Sequence, residues 1–149
     1  MDVTIPSEYG YVLLVALAGT FVNQWHSLLT SSKRKKAQVP YPICYATDGE
    51  ITPGTDKYVF NCAQRAHANY VESMPQFYVS MMISGLTHPQ IAAGLGATYL
   101  VGRIVYAIGY VDPGKVSGKG RLQGSPFIYA AQIGLWGYAG HAVWRMIMG

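Results

Sequence analysis

Residues 73–102, SMPQFYVSMMISGLTHPQIAAGLGATYLVG, run for 30 positions between Glu72 and Arg103 without one Asp, Glu, Lys or Arg. A helix on the surface of a soluble domain needs a wet face, and this stretch offers none. Two more stretches resemble it, with 24 charge-free residues between Glu8 and Lys33 and 23 between Arg121 and Arg145. At 1.5 Å of rise per residue, about 20 residues cross the ~30 Å hydrocarbon layer of a bilayer. A chain of 149 residues has room for four such helices and little else. The expected fold is all-α: an integral membrane four-helix bundle, one domain over residues 1–149. The mean hydropathy of +0.16 is low for such a protein. Twelve Tyr, 17 Gly, 8 Pro and the polar connections account for that.

Working outward, the spans fall at about 9–30, 58–86, 89–111 and 125–148. Pro6 and Ser7 suit the start of the first, and the basic run 33–36 ends it. Pro40, Pro42, Pro53, Gly49 and Gly54 forbid regular helix in the first long connection, and Asp48, Glu50 and Asp56 keep it wet. Pro89 and Pro126 stand where a helix tolerates proline, in its first turn. The connection 112–124, rich in Gly and basic residues, reads as a loop. Gly134, Gly137 and Gly140 are expected to let the last helix pack closely. The amino terminus carries no basic residue before Glu8, so the first span is expected to be kept rather than cleaved.

Four spans place both long connections on one side, and these hold Lys33, Arg34, Lys35, Lys36, Lys57, Lys115, Lys119 and Arg121, eight of the eleven basic residues. The positive-inside rule makes that side cytosolic. The net charge of +4 and pI of about 9.1 are therefore read as topology. No zinc-finger spacing or RNA-binding signature accompanies them, so no nucleic-acid partner is expected. Cys44 and Cys62 form no metal spacing, and neither a metal nor a disulfide is expected.

The opposite side holds at most Arg145, and the remaining two, Arg65 and Arg103, lie inside spans. An ionised side chain at bilayer depth costs at least ~2.5 to 3.5 kcal/mol, so each needs partners or water. In FNCAQRAHANYVESMP, Arg65, Asn69 and Glu72 stand at i, i+4 and i+7; in GRIVYAIGY, Arg103, Tyr106 and Tyr110 stand at i, i+3 and i+7. Each set shares a helical face. Seven residues is a loose spacing for a direct Arg65–Glu72 bridge, so the two stripes read instead as a cleft of cations, an anion, an amide and phenols. Its ligand should be small and zwitterionic, with more negative than positive charge. Glutathione fits, as one candidate among several small anions: arginines grip carboxylates bidentately, Glu72 takes an ammonium and Asn69 bonds a peptide group.

EYGYVLL from Glu8, KRKKAQVPYP from Lys33, FNCAQRAHANYVE from Phe60, HPQIAAGLG from His88 and GRIVYAIGY from Gly102 together resemble the membrane-associated proteins in eicosanoid and glutathione metabolism (MAPEG), most of all the family's type three microsomal glutathione S-transferase branch. The resemblance covers nearly the whole chain. It implies a homotrimer of four-helix subunits in the endoplasmic reticulum (microsomal) or outer mitochondrial membrane, with glutathione bound between subunits near the cytosolic face. Carried over residue by residue, Arg65, Asn69, Glu72, Tyr106 and Tyr110 would bind glutathione. Arg34 would reach it from the adjoining subunit, and His67 would add a weaker polar contact. Arg121 would face the thiol, with Lys119 as the alternative in a loosely matching loop. Ser73 stands where leukotriene C synthase has a tyrosine, which removes one phenolic contact.

The implied activity is that of a glutathione transferase or peroxidase, acting on a lipophilic electrophile or a lipid hydroperoxide, with glutathione as co-substrate and leukotriene C synthase activity within its range. The rival is a non-catalytic lipid-binding or scaffolding protein of the lipoxygenase-activating type. A small channel, resting on intramembrane charge alone, is the third.

Overall fold

The computed structural model describes residue 5, residues 7–47, residue 49 and residues 51–149. Pro6, Asp48 and Glu50, used above as a helix start and as acids of the first connection, lie outside the described residues. Four long helices carry the chain: α1 (Tyr9–Lys36), α2 (Asp56–Gly85), α3 (Pro89–Tyr110) and α4 (Ser125–Met148). A short 3-10 helix, η1 (Val116–Gln123), lies before α4, so the connection expected as loop is partly helical. Among the described residues there is no strand.

Local chemistry sets the ends. α1 continues six residues past its expected end because Lys33, Arg34, Lys35 and Lys36 suit the negative pole of the helix dipole. Thr55, in extended conformation, caps α2 by accepting from the Tyr58 amide at 3.3 Å, with Asp56 in the first turn. Proline opens α3 and α4.

Even the shortest long helix, α3 with 22 residues, reaches about 33 Å. By length and composition, α1 and α3 are apolar enough to cross a membrane. α2 and α4 are long enough but fall short in apolarity. α2 carries Arg65, Asn69 and Glu72, and α4 is diluted by Tyr129, Gln132, Tyr138 and His141. The distribution of polarity is nevertheless inverted relative to a water-soluble protein. Phe21 on α1 is 67% exposed and Ile147 on α4 is 74% exposed, while Arg103 is 4% exposed and Gln132 likewise 4%.

Both long connections meet at one end, where Lys33, Lys36 and Asp56 line the same small recess as Val111 and Pro113. Lys36 pairs there with Asp56 at 2.9 Å. At the other end Tyr9 donates to the Met82 carbonyl at 3.1 Å, and the His88 ring lies 5.1 Å from that of His141.

The close packing expected of α4's glycines occurs at Gly134, where a Cβ would meet Leu95 at 3.0 Å, and not at the other two. A Cβ on Gly137 or Gly140 would meet nothing within 4 Å, because both face outward. On α3, by contrast, Gly102 abuts Phe127 and Ile128, and Gly109 lies against the Gly120 backbone. From η1 and its end, Gly120 and Gly124 press in turn on the α3 backbone at Gly109 and at Gly102 and Tyr106. Gly118, at φ +63°, turns η1 beneath Tyr110. These backbone contacts fix η1, and with it Arg121, against α3.

Gly109→Ala should accordingly destabilise the detergent-purified protein by about 1–3 kcal/mol through overpacking. Gly137→Ala should not lower stability. Thermal unfolding monitored by intrinsic fluorescence compares the two directly.

Candidate functional site

Arg103 occupies the middle of the site. Its Nη1 donates to Asn69 Oδ1 at 2.7 Å, and its Nη2 donates to the Tyr99 hydroxyl at 2.8 Å and to Ser73 Oγ. The guanidinium lies over the rings of Tyr99, Tyr70 and Tyr106, at 5.0, 5.7 and 5.8 Å from their centroids. Ser73 donates its one hydroxyl hydrogen to the Tyr70 carbonyl at 2.8 Å and therefore serves Arg103 and Tyr99 as an acceptor. All of these partners are neutral. Among the described residues no carboxylate pairs with Arg103, and its Nε has no hydrogen-bond partner. A buried cation solvated by dipoles and ring faces but not neutralised is a standing attraction for an anion.

A cavity of about 380 Å³ gives access to it. Asn69, Ser73, Arg103 and Tyr106 line it from α2 and α3, Arg121 and Ser125 from η1 and the start of α4. It continues along the helices past Ile128 to Gln76, Gln132 and Trp136. Arg121 is oriented by the Gly118 carbonyl, which accepts from its Nη1 at 3.1 Å, and its guanidinium lies 5.6 Å from the Tyr110 ring centroid. Lys119 is exposed and is not among the lining residues.

The expected site residues are thus partly gathered and partly separated. Asn69, Arg103, Tyr106 and Arg121 share the cavity. Arg65 and Tyr110 line a neighbouring shallow recess of about 400 Å³ with Tyr58, Asn61 and Cys62. Tyr106 and Tyr110, edge to face at 5.5 Å, form the wall between the two spaces. Arg65 and Glu72 do form a direct bridge at 3.0 Å, contrary to the reading of their spacing as loose. Two helical turns separate their backbones by about 10 Å, which the long arginine side chain spans. Both are about half exposed. His67 faces α1, where its Nε2 lies 3.1 Å from Asn23 Oδ1. Arg34 is 8% exposed, donates to the Ile43 carbonyl and stacks between the rings of Tyr41 and Phe60 within its own chain.

Sequence reasoning missed Ser73, Tyr99, Gln76 and Gln132. A signal for the first three was present. Asn69, Ser73, Gln76 and Ser80 stand at i, i+4, i+7 and i+11, a polar stripe running deeper into α2, and Tyr99 lies one turn before Arg103. Small hydroxyl residues look unremarkable in a sequence, although here Ser73 takes hydrogen bonds from both Arg103 and Tyr99.

The MAPEG family model matches residues 12–141 of the chain, a range that includes every residue lining the cavity.

A carboxylate ligand reaching Arg103 should stabilise the fold by about 2.7 kcal/mol at a concentration one hundred times its Kd. With glutathione as probe, the rise in unfolding temperature should be present in the unaltered protein and largely absent in Arg103→Leu. Arg65→Ala removes only an exposed pair and should change ligand-free stability by less than about 1 kcal/mol.

Proposed function

Because the chain belongs to the MAPEG family, a family of membrane-associated proteins, we propose that it is a membrane-bound glutathione transferase and peroxidase of the type three microsomal branch, working as a homotrimer of four-span subunits with both long connections cytosolic. The observation that carries this is the placement of two guanidinium groups, Arg103 and Arg121, around one cavity with Asn69 and Tyr106. The unneutralised Arg103 takes a carboxylate of the tripeptide and Asn69 a peptide group. The Arg65–Glu72 pair, exposed outside the cavity, is free to exchange partners with the ligand's second carboxylate and its ammonium. The apolar faces of α1 and α4 are available to lipid and to neighbouring subunits. Arg34 is engaged inside its own chain, and the mechanism does not draw on it.

Arg121 acts on the sulfur. A free thiol has a pKa near ~8.5, and the thiolate is the nucleophile. A guanidinium beside the sulfur, joined by the positive N-terminal end of α4, favours the anion. Each pKa unit gained corresponds to about 1.4 kcal/mol of preference for the charged form. The thiolate then attacks an electrophilic carbon, forming a C–S bond as the leaving group departs or an epoxide C–O bond opens to an alkoxide that takes a proton from water. With a hydroperoxide it attacks the terminal oxygen and the O–O bond breaks. The departing alkoxide is protonated to the alcohol, and the glutathione sulfenic acid condenses with a second glutathione to give disulfide and water. No protein nucleophile is needed. Leu122, Ile128 and Trp136 supply the apolar wall against which the lipid lies.

Arg121→Ala should leave glutathione affinity nearly intact and move the titration of the bound thiol up toward ~8.5, so that at neutral pH most of the thiolate is lost. Ultraviolet thiolate absorbance of the detergent-purified protein follows that titration, and undiminished absorbance removes Arg121 from the mechanism. Glutathione binding by calorimetry without turnover of a generic aryl halide would instead identify the non-catalytic lipid-binding type.

A further inference from the structure

Attack of a thiolate on an epoxide or a peroxide leaves an oxygen that needs a proton, and the lining of the cavity limits where that proton can come from. Five hydroxyls line it: Ser73, Tyr99, Tyr106, Ser125 and Tyr129. Three have committed their one hydrogen. Ser73 gives it to the Tyr70 carbonyl at 2.8 Å, Tyr99 to Ser73 Oγ at 2.9 Å and Ser125 to the Arg121 carbonyl at 3.1 Å. The guanidinium groups of Arg103 and Arg121 do not give up protons in a protein. Of the five hydroxyls, Tyr106 and Tyr129 keep a hydrogen with no acceptor among the described residues.

These two phenols occupy different sides of the cavity. Tyr106 is buried on α3 with the Arg103 guanidinium over its ring, which places it with the groups around the tripeptide. Tyr129, on α4, is largely exposed, so its ring borders the hydrocarbon from which an electrophile arrives. Side chains on a helix lean toward its N-terminus and cover the preceding turn, which for Tyr129 is the turn of Ser125. Ser125 is bonded to the Arg121 backbone. The Tyr129 phenol is also near enough to Tyr106 for the two to interact electrostatically, as Tyr106 does with Arg121. A free phenol and the guanidinium assigned to the sulfur thus share one corner.

We propose that Tyr129 is the general acid of the reaction, donating its phenolic proton to the oxygen that departs when the thiolate attacks an epoxide carbon or the terminal oxygen of a hydroperoxide. This rests on the transferase reading above and adds the proton donor to it. The sulfur forms a C–S or S–O bond as the C–O or O–O bond breaks, and the alkoxide takes the phenolic hydrogen in place of one from water. Water then returns a proton to the phenolate, balancing the proton that the glutathione thiol released. A phenol with a pKa near ~10 is a far stronger acid than water at ~15.7, and a positioned general acid contributes about 10²–10⁴-fold. A halide leaving group needs no proton.

That difference supplies the test. The detergent-purified protein is loaded with glutathione, and single turnovers are followed with an aryl halide, a lipid epoxide and a lipid hydroperoxide. Thiolate absorbance before mixing sets the amount of reactive protein, and rates are compared as ratios to the halide within each preparation. Tyr129→Phe should lower the epoxide-to-halide or the hydroperoxide-to-halide ratio about 100-fold. With peroxides whose departing alcohols are progressively more acidic, the deficit of the variant should shrink, a trend that a loss of packing does not produce. Ratios that are the same in Tyr129→Phe and the unaltered protein overturn the proposal and leave the transferase reading standing. So does an unaltered protein that reacts with the halide and with neither oxygen electrophile. No reaction with any of the three overturns the transferase reading, and the general acid with it.

Discussion

A cation buried among helices with only neutral groups around it is the constraint from which the rest follows. Arg103 is held by an amide, two hydroxyls and three ring faces, and none of these carries charge. Such an arrangement spreads the positive charge without cancelling it, so the folded chain retains an electrostatic demand that only a ligand can meet. The demand also explains local sequence. Ser73 must be small and able to accept, Tyr99 must stand one turn before the arginine, and Asn69 must face α3 rather than lipid. Replacing the neutral ring of partners by a carboxylate would steady the subunit and occupy the place an incoming anion needs.

The same polarity governs the exterior. Apolar side chains of α1 and α4 point outward while Arg103, Gln132, Ser80 and Ser84 lie inside. In a membrane the gain from hiding apolar surface is absent between helices, so contact depends on close backbone approach and internal polar bonds. Both occur here. Glycines of α3 meet those of η1 and the turn before α4, and Ser84 donates to the Leu135 carbonyl at 2.8 Å.

Helix positions were legible because they depend on local information: charge-free runs, prolines at helix starts and the basic run at the end of the first helix. The α1 terminus shifted because a charge run also stabilises a final turn. Cavity-lining residues were legible where one helix sufficed, as for Arg103 with Tyr106. What failed needed knowledge of pairing between helices or of side-chain reach. Angular spacing places Arg65, Asn69 and Glu72 on one face, yet the outer two meet one another at the surface while the middle one turns inward to Arg103. Angular spacing likewise gave no hint that His67 faces Asn23, or that Gly137 and Gly140 have nothing beside them while Gly109 does. Ser73, read as a lost phenolic contact, accepts a hydrogen bond from the phenol of Tyr99.

Arg121 sits on η1, an eight-residue segment anchored to α3 through glycine backbone, whereas the groups around Arg103 belong to α2 and α3. The cavity is thereby built from two separately encoded parts, one on the long helices and one on the short segment. Substitutions within the short segment can alter the Arg121 end of the cavity without rebuilding the long helices around Arg103.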